Sequence, residues 1–147
     1  MQPILLDTNV MVYLFDQNQA AKQARAAELL PVLQELSIAR LSAQSLDEFC
    51  AVVTLRLKPP LSPAETLVQV EHFTRSFLTL PVTSMVVLEA LRGVRDHQFA
   101  YYDAQIWATA RLNQIPLVFS EDFNPSVIEG VRFVNPFAPD FVLERWL

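Results

Sequence analysis

The chain has 147 residues, 52% hydrophobic and 18% charged, with mean hydropathy +0.24, enough to enclose one substantial core and too few to suggest two. A formal net charge of −5 and a pI near 4.9 argue against gripping nucleic acid through a broad basic surface, although carboxylates at a cation site count toward that charge until the cation binds. No segment reaches the roughly 18 uncharged apolar residues of a membrane helix, Met1 to Phe15 lacks a basic leader, and the one cysteine, Cys50, reads as a small buried thiol, so a single cytoplasmic domain over residues 1–147 is expected.

Ile4-Leu5-Leu6, a continuous apolar run ending in Asp7, reads as a strand buried on both faces, as in a parallel sheet. Helical patterns follow over Thr8–Phe15 and Gln19–Leu36, and Pro31 predicts that the second is kinked or split. A strand is expected over Ile38–Leu41, then a helix over Ala43–Lys58 that Pro59-Pro60 stops. Ser62-Pro63 with Glu65 combines a capping residue, a first-turn proline and a first-turn acid at the start of a helix over Pro63–Phe77. A weaker strand covers Leu78–Val82, and Thr83-Ser84 caps a helix over Ser84–Asp96. The last elements are a helix over Tyr102–Asn113 and strands over Pro116–Phe119 and Val131–Val134. Strands alternating with helices imply an α/β sandwich with a mainly parallel sheet, whose functional crevice lies beyond the carboxyl ends of the strands.

Four carboxylates stand out against this apolar background: Asp7, Glu48, Asp103 and Asp122. Gathering like charges in a partly buried place is unfavourable unless a cation or protons intervene, so a divalent-metal site is the first hypothesis. Each acid also has a structural reading. Asp7 follows a strand and could cap the next helix, and Thr8 and Asn9 beside it either orient it or satisfy free backbone groups. Glu48 shares helical spacing with Ala51, Val52 and Leu55 and faces the apolar side, whereas Asp47 falls on the polar stripe with Thr54 and Lys58. A boundary glutamate with its stem on the core is the alternative. Asp103 lies in a helical first turn, where the helix N-terminus favours negative charge whether or not a metal is held. Asp122 closes Ser120-Glu121-Asp122 after a strand and could be only a turn residue; Glu121 should point away, and Ser120 offers a supporting hydroxyl.

Other chemistries find little support. With two glycines, Gly93 and Gly130, neither a phosphate-cradling loop nor a dinucleotide fingerprint can be built, and there is no Gly-x-Ser-x-Gly elbow. His72, expected on a helix surface, and His97, expected at a helix end near carbonyls, do not make a zinc site with one cysteine. A phosphoacceptor domain would want a lysine near the last strands, and none follows Lys58. Lys22 with Arg25, and Arg92 with Arg95, share helix faces as candidate phosphate contacts, the alternative being a solvated surface.

At these residues the chain resembles the PIN-domain nucleases, specifically the VapC-type toxins of bacterial toxin–antitoxin systems. Leu5-Leu6-Asp7-Thr8-Asn9 looks like the family's first motif, and Ser42 to Phe49 the second, with Glu48 in the acidic position. Tyr102-Asp103-Ala104-Gln105-Ile106-Trp107-Ala108 resembles the third and Ser120-Glu121-Asp122-Phe123 the last. The resemblance runs through almost the whole chain. It implies a three-layer α/β/α sandwich, metal-dependent RNA cleavage, a cognate antitoxin as partner and a homodimer. The expected centre holds Mg²⁺ or Mn²⁺ on Asp7, Glu48 and Asp103, with Asp122 completing the set or holding a second ion. The alternatives are a noncatalytic module that binds RNA or a protein partner, and an RNA-processing nuclease that is not a toxin. Apolar surface on helices such as Ala21–Leu36 and Thr66–Phe77 is available for dimerisation or an antitoxin, or simply packs on the chain's own core.

Overall fold

The computed structural model describes all residues, 1–147. Six strands form one sheet in the order β3-β2-β1-β4-β6-β5. They are β1 (Ile4–Leu6), β2 (Ala39–Ser42), β3 (Leu78–Leu80), β4 (Leu117–Phe119), β5 (Ser126–Ile128) and β6 (Val131–Val134). All neighbouring pairs are parallel except β5 with β6. The helices are α1 (Thr8–Val12, extended by a 3₁₀ turn at Tyr13–Phe15), α2 (Ala20–Glu35), α3 (Ala43–Leu55), α4 (Pro63–Ser76), α5 (Ser84–His97) and α6 (Tyr101–Leu112).

Pleating sends alternate side chains of the central strands to opposite faces, which divides the core in two. Ile4, Leu6, Leu117 and Phe119 meet residues of α2, α3 and α4 on one face, whereas Leu5 and Val118 meet α5 and α6 on the other. Strands buried on both sides need apolar residues at every position, and β1 and β4 are fully buried along their lengths. The result is the expected three-layer α/β/α sandwich.

Local signals explain most boundaries. Ser62 and Glu65 form a complete capping box with Pro63 in the first turn of α4, and Thr83 caps α5 by accepting from the Val86 N–H. Four expectations need correction. The helix carrying Pro31 is not split: α2 is continuous, because Pro31 and Ala27, whose carbonyl loses its partner, are both exposed, while Leu29, Leu30 and Leu33 anchor the helix to the core. The helix after Ser42 ends at Leu55 instead of Lys58, since Leu57 turns inward and is buried. Finally, β5 is a further, antiparallel strand joined to β6 by Glu129-Gly130, both at positive φ. Cys50 is half-buried, not buried.

Candidate metal centre

Parallel strands bring their carboxyl ends to one edge, and the helices that follow start there. Asp7 ends β1 and caps α1, its Oδ1 accepting the Thr8 N–H at 2.7 Å. The cap uses only one of the two carboxylate oxygens: Oδ2 accepts from the Ser120 hydroxyl at 2.7 Å, beyond the end of β4. Asp7 is only 5% exposed.

Glu48 comes from α3, nearly two turns beyond its cap Ser42, and is half-buried, while Asp47 faces solvent. Its two oxygens accept from the Thr8 hydroxyl at 3.0 Å and from the Gln44 amide at 2.9 Å. Asp122 accepts from the Asn9 amide at 3.1 Å, and Ser120 Oγ accepts the Asp122 N–H at 3.1 Å. Thr8, Asn9 and Ser120 thus touch three of the four acids. Asp103, in the first turn of α6, has a half-buried side chain that accepts no hydrogen bond.

Gln44 has no role in the sequence reading, yet its amide N–H groups bridge Glu48 to the Tyr102 carbonyl at 2.9 Å, tying α3 to the start of α6 beside Asp103. The spacing signal was present, since Gln44 precedes Glu48 by one helical turn on the same face.

The electrostatics follow from this crowding. Burial pushes the Asp7 carboxyl up to about 6; hydrogen bonds from Ser120 and Thr8 oppose the rise, and the charges of Asp122 and Glu48 add to it. The Asp103 carboxyl is also raised, first by burial and then by Asp122 and Glu48. None of the four acids forms an ion pair. No three acidic, histidine or cysteine side chains are drawn into a ready cage around one point. Carboxylates without a counter-ion repel, and here donor side chains stand between them. The donor set nevertheless fits a hard divalent cation: Mg²⁺ binds through one or two carboxylates and retains waters, so it needs no closed cage.

The candidate phosphate contacts are all engaged within the chain. Lys22 pairs with Glu121 at 2.6 Å, and Tyr13 donates to the same carboxylate, so Glu121 does point away from Asp122. Arg25 donates to the Pro136 carbonyl at 3.0 Å and lies over the Phe141 ring. Arg92 pairs with Glu89, Asp96 and Glu129, and Arg95 with Asp96. His72 is exposed, as expected; His97 contacts the Glu129 carboxylate at 2.7 Å instead of helix-end carbonyls.

Comparison with solved structures gives the same architecture. A chain of DNA-bound VapBC from Salmonella typhimurium aligns with TM-score 0.65 and 17% identity, covering 92% of this chain and 99% of that one. A toxin–antitoxin complex from Klebsiella pneumoniae aligns with TM-score 0.64 and 19% identity, covering 90% and 97%. VapC20 of Mycobacterium tuberculosis, a toxin that cleaves the sarcin-ricin loop, aligns with TM-score 0.59 and 16% identity, covering 81% and 91%. No curated protein matches the sequence. No helix is long and apolar enough to cross a membrane. Residues 4–130 match the PIN domain model, and with the sheet order and the four acids at the strand and helix ends, the chain belongs to the PIN-domain family.

Proposed function

We propose that this chain is a metal-dependent endoribonuclease and the toxin of a toxin–antitoxin pair, acting in the cytoplasm. One observation carries the reading: Asp7, Glu48, Asp103 and Asp122 lie within electrostatic reach of one another at the carboxyl edge of the sheet, with no ion pair of the chain's own to offset them. Asp7, Glu48 and Asp103 would hold Mg²⁺ or Mn²⁺, with Asp122 completing the set or serving a second ion. When bound, such an ion supplies Lewis-acid polarisation of the phosphate and a strong nucleophile from water at neutral pH.

The chain's own contribution is orientation. Asp7 is fixed through both oxygens by the Thr8 N–H and Ser120, and Glu48 through both by the Thr8 hydroxyl and Gln44. Asn9 steadies Asp122. Carboxylates held in this way lose little freedom when they take up a ligand, which favours in-line displacement at a positioned phosphodiester. Likeness to VapBC complexes supports a cognate antitoxin. Exposed Leu67 and Val68 on α4, and separately Met85 and Leu88 on α5 across the sheet, are apolar surface available to a protein partner, the antitoxin or a second copy forming a homodimer.

The test is cleavage of a mixed structured RNA by the purified chain with Mn²⁺ or Mg²⁺, beside chelator and Asp7→Asn controls. Cutting that disappears in both controls supports the reading; a folded, metal-binding chain that cuts nothing shifts weight to an RNA- or partner-binding role. Co-purification with the product of the adjacent reading frame separates a toxin from an RNA-processing nuclease.

A further inference from the structure

Gln44, Glu48, Val52 and Arg56 recur every four residues and form one stripe along α3 and its C-cap. That stripe is one wall of an open groove of about 800 Å³, with Tyr102 and Gln105 of α6 on the other side. The volume lies within the roughly 300–1,000 Å³ of pockets that take organic ligands. Glu48 belongs both to the groove and to the carboxylate centre, so the two are continuous.

Three features of the groove are unexplained by the fold. Tyr102 is 66% exposed, with its ring edge-on to Tyr101 at 5.3 Å and one flank in the groove. The Arg56 side chain has neither an ion pair nor a hydrogen bond, unlike Lys22, Arg25, Arg92 and Arg95. Gln44 is 6% exposed, and its amide oxygen has no partner, although both its N–H groups are used. A free aromatic face and a free guanidinium, lining a groove continuous with the acid cluster, match the stacking surface and backbone contact that unpaired nucleic acid requires.

We propose that this groove seats an unpaired stretch of RNA flanking the cut, with Tyr102 stacking on a base and Arg56 holding a phosphate. The proposal rests on the nuclease reading of the adjacent centre. Arg56 lies eight residues from Glu48 along α3, about 12 Å at 1.5 Å per residue, so it meets a phosphate other than the one being cleaved. Gln44 acts as a positioning residue, holding Glu48 and the first turn of α6 so that groove and centre stay in register. Such a path lets an acidic protein engage RNA through one local cation and one ring, without a broad basic surface.

The experiment measures both binding and turnover. Binding uses a fluorescent single-stranded RNA and the Asp103→Asn chain, with Arg56→Ala, Arg56→Lys, Tyr102→Ala and Tyr102→Phe added in turn; turnover uses the same four changes in the parent chain. The expected result is about tenfold weaker binding and a correspondingly raised KM for Arg56→Ala and for Tyr102→Ala, with kcat little changed. Arg56→Lys and Tyr102→Phe should recover most of the loss. In Arg56→Ala the slope of log affinity against log salt should fall by about 0.7, the signature of one lost phosphate contact on a single strand. Unchanged RNA affinity in both alanine variants overturns the proposal and leaves the groove to a polypeptide occupant, as does a loss confined to kcat. Absence of metal-dependent cutting by the parent would defeat the nuclease reading separately, because the binding series requires no cutting.

Discussion

Two acid-rich regions of this molecule are built on opposite plans. Around the β5–β6 turn, Glu129 is met by Arg92 at 2.9 Å, Arg111 at 3.7 Å and His97 at 2.7 Å, and Glu89 and Asp96 share Arg92. The consequence is a lowered Glu129 carboxyl, first through His97 and then through Arg92, and a raised Arg92 guanidinium. At the carboxyl edge of the sheet the sign reverses: burial and neighbouring acids raise Asp7 and Asp103, with no cation in reply. The first plan completes itself and holds α5, α6 and the hairpin together. The second is left electrostatically open, which is what a site for an external cation requires.

The sharpest break of this contrast is chemical. Asp103→Asn and Asp7→Asn each remove one uncompensated charge and should lower the initial rate of RNA cutting by about 10²–10³-fold or more, with chelation of the metal doing the same to the parent. Retained cutting in a folded Asp103→Asn chain would remove Asp103 from the centre.

The next effect is on stability. A carboxyl raised on folding from 3.8 to about 6 binds more protons in the folded than in the unfolded state across that window, so metal-free stability falls as pH rises through it. At about 1.36 kcal/mol per pH unit the loss attached to Asp7 is about 3 kcal/mol. Denaturant melts at about pH 4 and about pH 7 should display it. Asp7→Asn should remove the part of the drop attached to Asp7, leaving that set by the raised Asp103 carboxyl, and added Mn²⁺ should reduce the drop in the parent chain. A parent whose stability is flat across the window would mean that Asp7 is not held in the uncompensated state.

The compensated region can be perturbed without touching the acids of the centre. Gly93 of α5 lies against Trp107, where an added Cβ would stand 2.7 Å from the indole, and that indole donates to the Ile128 carbonyl at 3.1 Å next to Glu129. Gly93→Ala should therefore destabilise by about 1–3 kcal/mol through overpacking, despite alanine's better helix propensity, while each folded molecule keeps its cutting rate. Glu129→Gln should have the smallest effect: a slight fall in melting temperature that shrinks further at high salt, because the network lies at the surface with its side chains half exposed. A large loss of RNA cutting in either variant would join the two regions functionally.

Much of the fold was legible because local rules agreed. The apolar runs of β1 and β4, the capping box at Ser62 and the cap at Thr83 each rest on neighbours a few residues apart. β5 was not legible: Ser126–Ile128 is short and half exposed, and Glu129-Gly130 is not among the turn pairs that announce a hairpin, since Glu129 adopts a positive φ with an ordinary side chain. Pro31 misled because a proline's effect depends on which side of the helix faces water.

By itself the sequence determined the strand ends that carry Asp7 and Asp122, the inward face of Glu48 and the first-turn position of Asp103, since periodicity and caps reach only one turn or one pleat along the chain. Tertiary structure alone decided what holds those acids and what leaves them unpaired. Thr8 reaches Glu48 across 40 residues of chain and Ser120 reaches Asp7 across 113. Lys22 and Arg92 are consumed by pairs elsewhere, and Arg56 is left free in the groove. Such pairings depend on sheet order and register, and these are set by burying both faces of the strands at once.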